Sequence, residues 1–233
     1  MANTGGESEP APGNAVGASM WSVRYPRGSA EFNRLLSLMD NGAVVALTLL
    51  SISLLVLTPQ DDSWRQAFKD FVTLRSGGLI ALIVSFVLVG VFWLSHHHLL
   101  SRLVAVDRIF MMANLFFLFQ LTLTPVAAVA MAEHAKDIYA VVFYGAWLAG
   151  FIAIEVVLCW VAYHRHLFAS LVLGKIALSY QSRVGIARLV VAALAMALAY
   201  VALPLAGAVL LAVGMVLLDV VVPRPFSVDA VER

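Results

Sequence analysis

Charge is scarce in this 233-residue chain: Asp, Glu, Lys and Arg make up 12% of it, against 62% hydrophobic residues and a mean hydropathy of +0.92. A soluble domain carries roughly 25% charged residues, so an ordinary globular enzyme is excluded and the chain belongs in a bilayer. Charge of one sign is also lacking, since 15 basic residues face 14 acidic ones, a net of +1. Nucleic acid is therefore not an expected partner. One cysteine, Cys159, excludes an intramolecular disulfide framework and a thiolate metal cluster. The first thirty residues lack an apolar stretch long enough for a signal-peptide core, and no inverted internal repeat of the transporter kind is visible.

Long apolar runs are what is present. A helix needs roughly 20 apolar residues to cross about 30 Å of hydrocarbon. Runs from about Leu35 to Leu57, from Phe71 or Leu79 to Leu94, from Ile109 to Met131 and from Ile138 to Tyr163 each meet that length. Val184 to Val222 is about two spans long and has Pro204 near its middle, which predicts two helices joined by a tight turn. The expected architecture is an all-α membrane protein of six transmembrane helices. Residues 1–30 would form a flexible cytoplasmic tail, 31–222 the membrane domain and 223–233 a second cytoplasmic tail.

Six spans place Arg24, Arg27, Arg34, Arg102, Arg108, Arg165, Lys175, Arg183, Arg188, Arg224 and Arg233 on one side, and Arg65, Lys69, Arg75 and Lys136 on the other. Basic residues favour the cytoplasmic face, so both termini are expected in the cytoplasm of a plasma-membrane protein. With no separate soluble domain expected, function falls to the bundle, where every polar residue is a candidate.

The first apolar run carries the densest set. Asn41, Val45, Thr48, Leu49 and Ile52 stand at i, i+4, i+7, i+8 and i+11 and share one stripe. Asp40 points away from it, toward Ala43, Val44 and Leu47. The stripe reads either as a packing seam, with Thr48 bonded to its own backbone, or as a pore wall in which Val, Leu and Ile rings form a hydrophobic constriction. Arg34, six residues before Asp40 and off its face, is expected to bond to a different helix.

These residues resemble the signature of the transmembrane protein 175 family of potassium channels, R-x-x-x-F-S-D with a Thr eight residues after the Asp. Arg34, Asp40 and Thr48 keep that spacing, while Leu38 and Met39 stand where the family has Phe and Ser. Trp93-Leu-Ser-His96-His97 is similar to the family's W-x-x-H-H, and the likeness continues through Arg102, Asp107 and Asn114-Leu-Phe-Phe-Leu-Phe. The resemblance implies a non-enzymatic, potassium-selective cation channel: a homotetramer of six-helix subunits whose first helices line a central pore. Val45, Thr48, Leu49 and Ile52 would form the constriction, no cofactor would be needed, and proton leak is a secondary expectation. Arg34, Asp40, Trp93, His96 and His97 would form a polar network holding the pore helix, with His96 or His97 beneath Trp93 and directed toward Arg34 and Asp40.

Consecutive histidines project about 100° apart, so His96, His97 and His98 do not converge on one metal ion without outside ligands. A pH-sensing role for them stays open. Glu155, deep in the fourth run, reads as a neutral hydrogen-bonded acid, an ion-pathway ligand or a proton carrier. With the histidines it supports an alternative function, a proton-coupled secondary transporter. Asp219 is expected near the interface, solvated or paired with an Arg. His164, Arg165, His166 and the stretch from Lys175 to Arg188 are expected as a basic cytoplasmic edge near anionic lipid.

Overall fold

The computed structural model describes residues 23–56, 76–134, 137–201 and 204–222. The rest of both expected tails, the Asp61-Asp62 connection with Arg65, Lys69 and Arg75, and Lys136 lie outside the described residues. A short strand, β1 (Arg24–Pro26), leads into α1 (Ala30–Val56). Then come α2 (Ser76–Ser101), β2 (Ala105–Asp107), α3 (Arg108–Glu133), α4 (Ile138–His164), α5 (Leu171–Tyr200) and α6 (Pro204–Val221). Among the described residues five stretches are long and apolar enough to cross a membrane: Ala30–Ile52, Ile83–Ser101, Arg108–Glu133, Ile138–His164 and Leu171–Tyr200. The sixth, Ala206–Val221, is shorter. At 1.5 Å per residue all of α6 reaches only about 27 Å.

Four of the helices start where a short polar side chain answers a free backbone N–H. Ser29 Oγ accepts from Phe32 N at the start of α1. Asp107 accepts from Phe110 N, Asp137 from Tyr139 N and Ser170 from Leu173 N. Pro204 opens α6, where its missing N–H would have been unpaired in any case.

Hydropathy located the helices better than it located their ends. α2 continues past Leu94 to Ser101, carrying the three histidines with it, and α5 begins at Leu171 rather than at Val184. Hydropathy measures the thickness of hydrocarbon, whereas backbone hydrogen bonding continues into the interface until a cap or a turn stops it. α5 is accordingly about 45 Å long, half again the hydrocarbon thickness. Arg24–Pro26, within the stretch expected as a mobile tail, pairs antiparallel with β2 in the register Arg24↔Asp107, Tyr25↔Val106 and Pro26↔Ala105. An otherwise all-helical bundle thus carries one small ribbon.

α2 is the hub, packing against α1, α3, α4 and α6, while α3–α4, α4–α5 and α5–α6 pack in sequence around it. Leu88, Val89 and Phe92 of α2 are fully buried, as a helix apolar on all sides requires. The Phe92 and Phe151 rings stack at 4.7 Å, and Phe117 and Trp147 meet Phe151 edge-on at 5.5 and 5.4 Å. α5 and α6 approach most closely at Gly207, where a Cβ would lie 2.5 Å from the Ala195 carbonyl oxygen and 2.9 Å from Ala199 N. Small residues permit such backbone contact between membrane helices.

Because those neighbours are backbone atoms that no rotamer change can move, Gly207→Ala is expected to push α6 away from α5 and cost about 1–3 kcal/mol. Thermal unfolding of the detergent-solubilised protein checks this, with Gly90→Ala, which meets no atom within 4 Å, as the matched control.

Candidate functional site

α1 presents two faces. Phe32, Leu35, Met39, Ala43, Ala46 and Leu50 recur every three or four residues and are buried against α2 and α3. Asn41, Val45, Thr48, Leu49 and Ile52 lie on the opposite, exposed side of the subunit. Val45 is 53% and Ile52 49% exposed, so in one subunit this stripe is not a seam with another helix. Thr48 Oγ1 donates to the Val44 carbonyl at 2.8 Å and Ser51 Oγ to Leu47 at 3.0 Å. Both hydroxyl protons are thereby satisfied, while their oxygens still accept. The Asn41 side chain has no hydrogen-bond partner among the described residues.

The outward side of α3 differs. There Met112, Leu115, Phe116, Phe119 and Val126 are exposed, with Thr122 as the polar residue. α5 similarly exposes Ile186, Leu189, Val190 and Leu194. Those large apolar surfaces suit lipid, and the α1 stripe is the more polar one.

The expected polar network resolves into separate parts. Trp93 Nε1 donates to Asp40 Oδ1 at 3.1 Å, and the His97 ring tilts against Trp93 at 5.5 Å, joining α1 to α2. His96 turns into the core, hydrogen-bonds through Nε2 to Asn114 Oδ1 at 2.8 Å and stacks on Phe117 at 4.1 Å. Asn114 in turn donates to the Phe110 carbonyl, so this pair joins α2 to α3. Arg34 stands exposed, with no hydrogen-bond or ion-pair partner among the described residues. His96 therefore does not reach toward Arg34 and Asp40, because Asn114 is the nearer partner and burial demands one. Among the described residues no three His, Cys, Asp or Glu side chains gather as metal ligands.

A polar clasp holds the end of the bundle from which α1 starts. Fully buried Asp107 caps α3 through Oδ1 and accepts from Arg165 Nε through Oδ2 at 2.5 Å. Arg24 Nη2 reaches the Arg165 carbonyl at 3.0 Å, and Arg27 Nη1 donates to the Ser101 carbonyl at 2.5 Å. These contacts tie β1 to the ends of α2 and α4.

The largest polar feature joins residues that the sequence reading treated singly. Arg188, expected on the basic cytoplasmic edge, is fully buried. Its Nη1 lies 2.5 Å from Glu155 Oε2 and its Nη2 lies 2.7 Å from Asp219 Oδ1, so one guanidinium bridges α4 and α6 from α5. Gln181 Nε2 donates to the same Glu155 oxygen at 3.0 Å, and the Phe92 ring lies 5.3 Å from the guanidinium carbon. Three charges isolated in three apolar runs were the available signal, since a charge in hydrocarbon needs a partner. Arg188 therefore leaves the set used to orient the chain, and ten basic residues rather than eleven remain on that side.

Asp107→Ala is expected to remove both the α3 cap and the partner of Arg165, lowering stability by about 1–3 kcal/mol. Asp107→Asn, which keeps an oxygen for the cap, should lose less than half of that. Thermal unfolding of the three proteins side by side measures the difference, and equal losses would show that the cap contributes nothing.

Residues 34–125 match the family described as endosomal/lysosomal potassium channel TMEM175. A potassium channel of Chryseobacterium sp. (strain P1-3) is 34% identical over 94 residues, which are 40% of this chain and 45% of that protein. A potassium channel of Streptomyces collinus (strain DSM 40733 / Tue 365) is 27% identical over 111 residues, 46% of this chain and 50% of the relative. The chain thus spans about half the length of the curated relatives it matches. No solved structure matches it. The matched segment runs from the first turns of α1 to Pro125 of α3 and holds the stripe, the Asp40–Trp93 bond, His96 and His97, and over that segment the chain is similar to the TMEM175 potassium channels.

Proposed function

We propose that this protein is the subunit of a passive, potassium-selective cation channel in the plasma membrane, assembled as a homotetramer with α1 around a central axis. The observation that carries the reading is the exposed stripe of α1. It sets Asn41 and Thr48 among Val45, Leu49 and Ile52 on a face that no other described helix of the subunit covers, within the segment similar to potassium channels. Facing lipid, Asn41 would lack a partner. Facing an axis shared with copies of itself, it meets water or a neighbouring subunit.

In this arrangement Val45, Leu49 and Ile52 form apolar rings and Thr48 contributes a ring of hydroxyl oxygens. An ion passing such rings sheds part of its hydration shell without carbonyl replacements. Potassium holds its water less tightly than sodium, so its barrier is the lower one. No bond is made or broken, and proton leak through the same path is a secondary activity. The Asp40–Trp93 bond and the clasp serve as supports that set the angle of α1.

Both termini are assigned to the cytoplasm. In support, Arg24, Arg27, Arg102, Arg108 and Arg165 collect around the β1–β2 ribbon at one end of the bundle. A clustered basic end of this kind favours the cytoplasmic side. A membrane-impermeant label that reached a cysteine placed at Arg24 from outside intact cells would reverse the assignment.

The decisive recordings use the purified protein in planar bilayers under bi-ionic potassium and sodium. Val45→Asn places an amide from each subunit in the narrow path, where it replaces some of the water that sodium must shed. The potassium-to-sodium permeability ratio is expected to fall about tenfold, equivalent to about 1.4 kcal/mol of barrier. Val45→Leu narrows an apolar ring and should lower conductance while keeping the ratio. A well-folded Val45→Asn protein with an unchanged ratio would remove Val45 from the ion path.

A further inference from the structure

The cluster of Glu155, Arg188 and Asp219 lies on α4, α5 and α6, away from the α1 stripe, and the channel reading gives it no task. Its fixed charges do not balance, because two carboxylates share one guanidinium. Among the described residues three of its buried atoms, Glu155 Oε1, Arg188 Nε and Asp219 Oδ2, have no hydrogen-bond partner of good geometry, although the Ser95 side chain stands near Glu155. Glu155 is 2% exposed and Arg188 fully buried, so their unused atoms are cut off from bulk water. In hydrocarbon surroundings an unbalanced charge and unpaired polar atoms each cost several kcal/mol, and something has to supply what is missing.

A crevice reaches the cluster from the side. Asp219 and Gln181, the latter bonded to Glu155, stand in its wall. Ser95 and His98 of α2, Arg102 just after it, Cys159 of α4 and Tyr180 of α5 form the remaining polar lining. The free space is about 20 Å³, room for one water molecule. Arg102 is the other cation of the crevice; it stands partly exposed just beyond the last turn of α2 and has interactions of its own. His98 is likewise at the α2 end, and the Phe92 ring covers the guanidinium.

We propose that the Glu155–Arg188–Asp219 cluster is a proton-binding site, supplied through this crevice, that holds one exchangeable proton. A hydronium ion in the crevice gives its proton to a free carboxylate oxygen, Glu155 Oε1 or Asp219 Oδ2. An O–H bond forms there, one O–H bond of hydronium breaks, and a water molecule remains. The cluster then carries one carboxylate and one guanidinium, so its charge is closed, and the water left behind accepts from the new O–H. An alkali ion fits the same place poorly. It needs several oxygen ligands in a space the size of one water molecule, and it would lie beside the guanidinium, whereas a proton sits on the carboxylate itself.

Infrared difference spectroscopy of the purified full-length protein tests the assignment. Exposed Asp and Glu side chains are ionised at about pH 7, so a protonated-carboxyl stretching band there isolates a buried proton. The wild-type protein is expected to show one such band, shifted by transfer to heavy water because the crevice admits solvent. Glu155→Gln and Asp219→Asn each leave one carboxylate for one guanidinium, and each should abolish the band. Either variant suffices if the other does not fold. Arg188→Gln, leaving two carboxylates and no cation, should raise it about twofold. No band in the wild type, or a band surviving both carboxyl substitutions, overturns the proposal. So does a band that appears in a large organic cation and vanishes in potassium at the same pH, because an alkali ion is then the occupant.

Discussion

A polar group inside hydrocarbon must find its partner within the protein, and the rest of this structure follows from that constraint. The bundle has few polar side chains to place, and several of the buried ones form joints between helices. Asp40 and Trp93 join α1 to α2, His96 and Asn114 join α2 to α3, and Arg188 joins α4, α5 and α6. Apolar packing between membrane helices is weakly directional, since lipid tails compete for the same surfaces. Hydrogen bonds and ion pairs supply the register that packing leaves loose.

This distribution separates the molecule into two halves with different characters. The half made of α1, α2 and α3 holds the segment related to potassium channels and is joined by neutral or singly charged contacts. The half made of α4, α5 and α6 is joined by a buried guanidinium between two carboxylates. The aromatic stack from Phe92 through Phe151 to Phe117 and Trp147 lies between the halves and connects them without any charge.

What the sequence disclosed and what it withheld follow the same division. Five of the expected spans were readable because their apolar runs match the bilayer in length, and the two faces of α1 because helical spacing is local. The ends of α2 and α5 were not, since the chain stays helical beyond the hydrocarbon and only caps such as Ser170 stop it. Arg188 was misplaced because its partners lie 33 and 31 residues away, on helices whose rotations about their own axes no local pattern fixes. His96 and His97 are adjacent in the chain but serve different joints, because neighbouring side chains on a helix point about 100° apart.

The ribbon at the base of the bundle bears on how α1 can move. Pro26, at the end of the paired strand, is followed by Arg27, Gly28 and Ser29 before α1 begins at Ala30. Gly28 turns the chain at φ +89°, a conformation open to glycine and strained for other residues. So short a connection to a hydrogen-bonded strand holds the base of α1 in place along its axis. A rod pivoting at its base moves most at its far end. Val45 is about 22 Å from the pivot and Ile52 about 33 Å, so any tilt displaces Ile52 roughly one and a half times as far as Val45. In such a tilt the fulcrum is the β1–β2 ribbon and the long arm ends at Ile52.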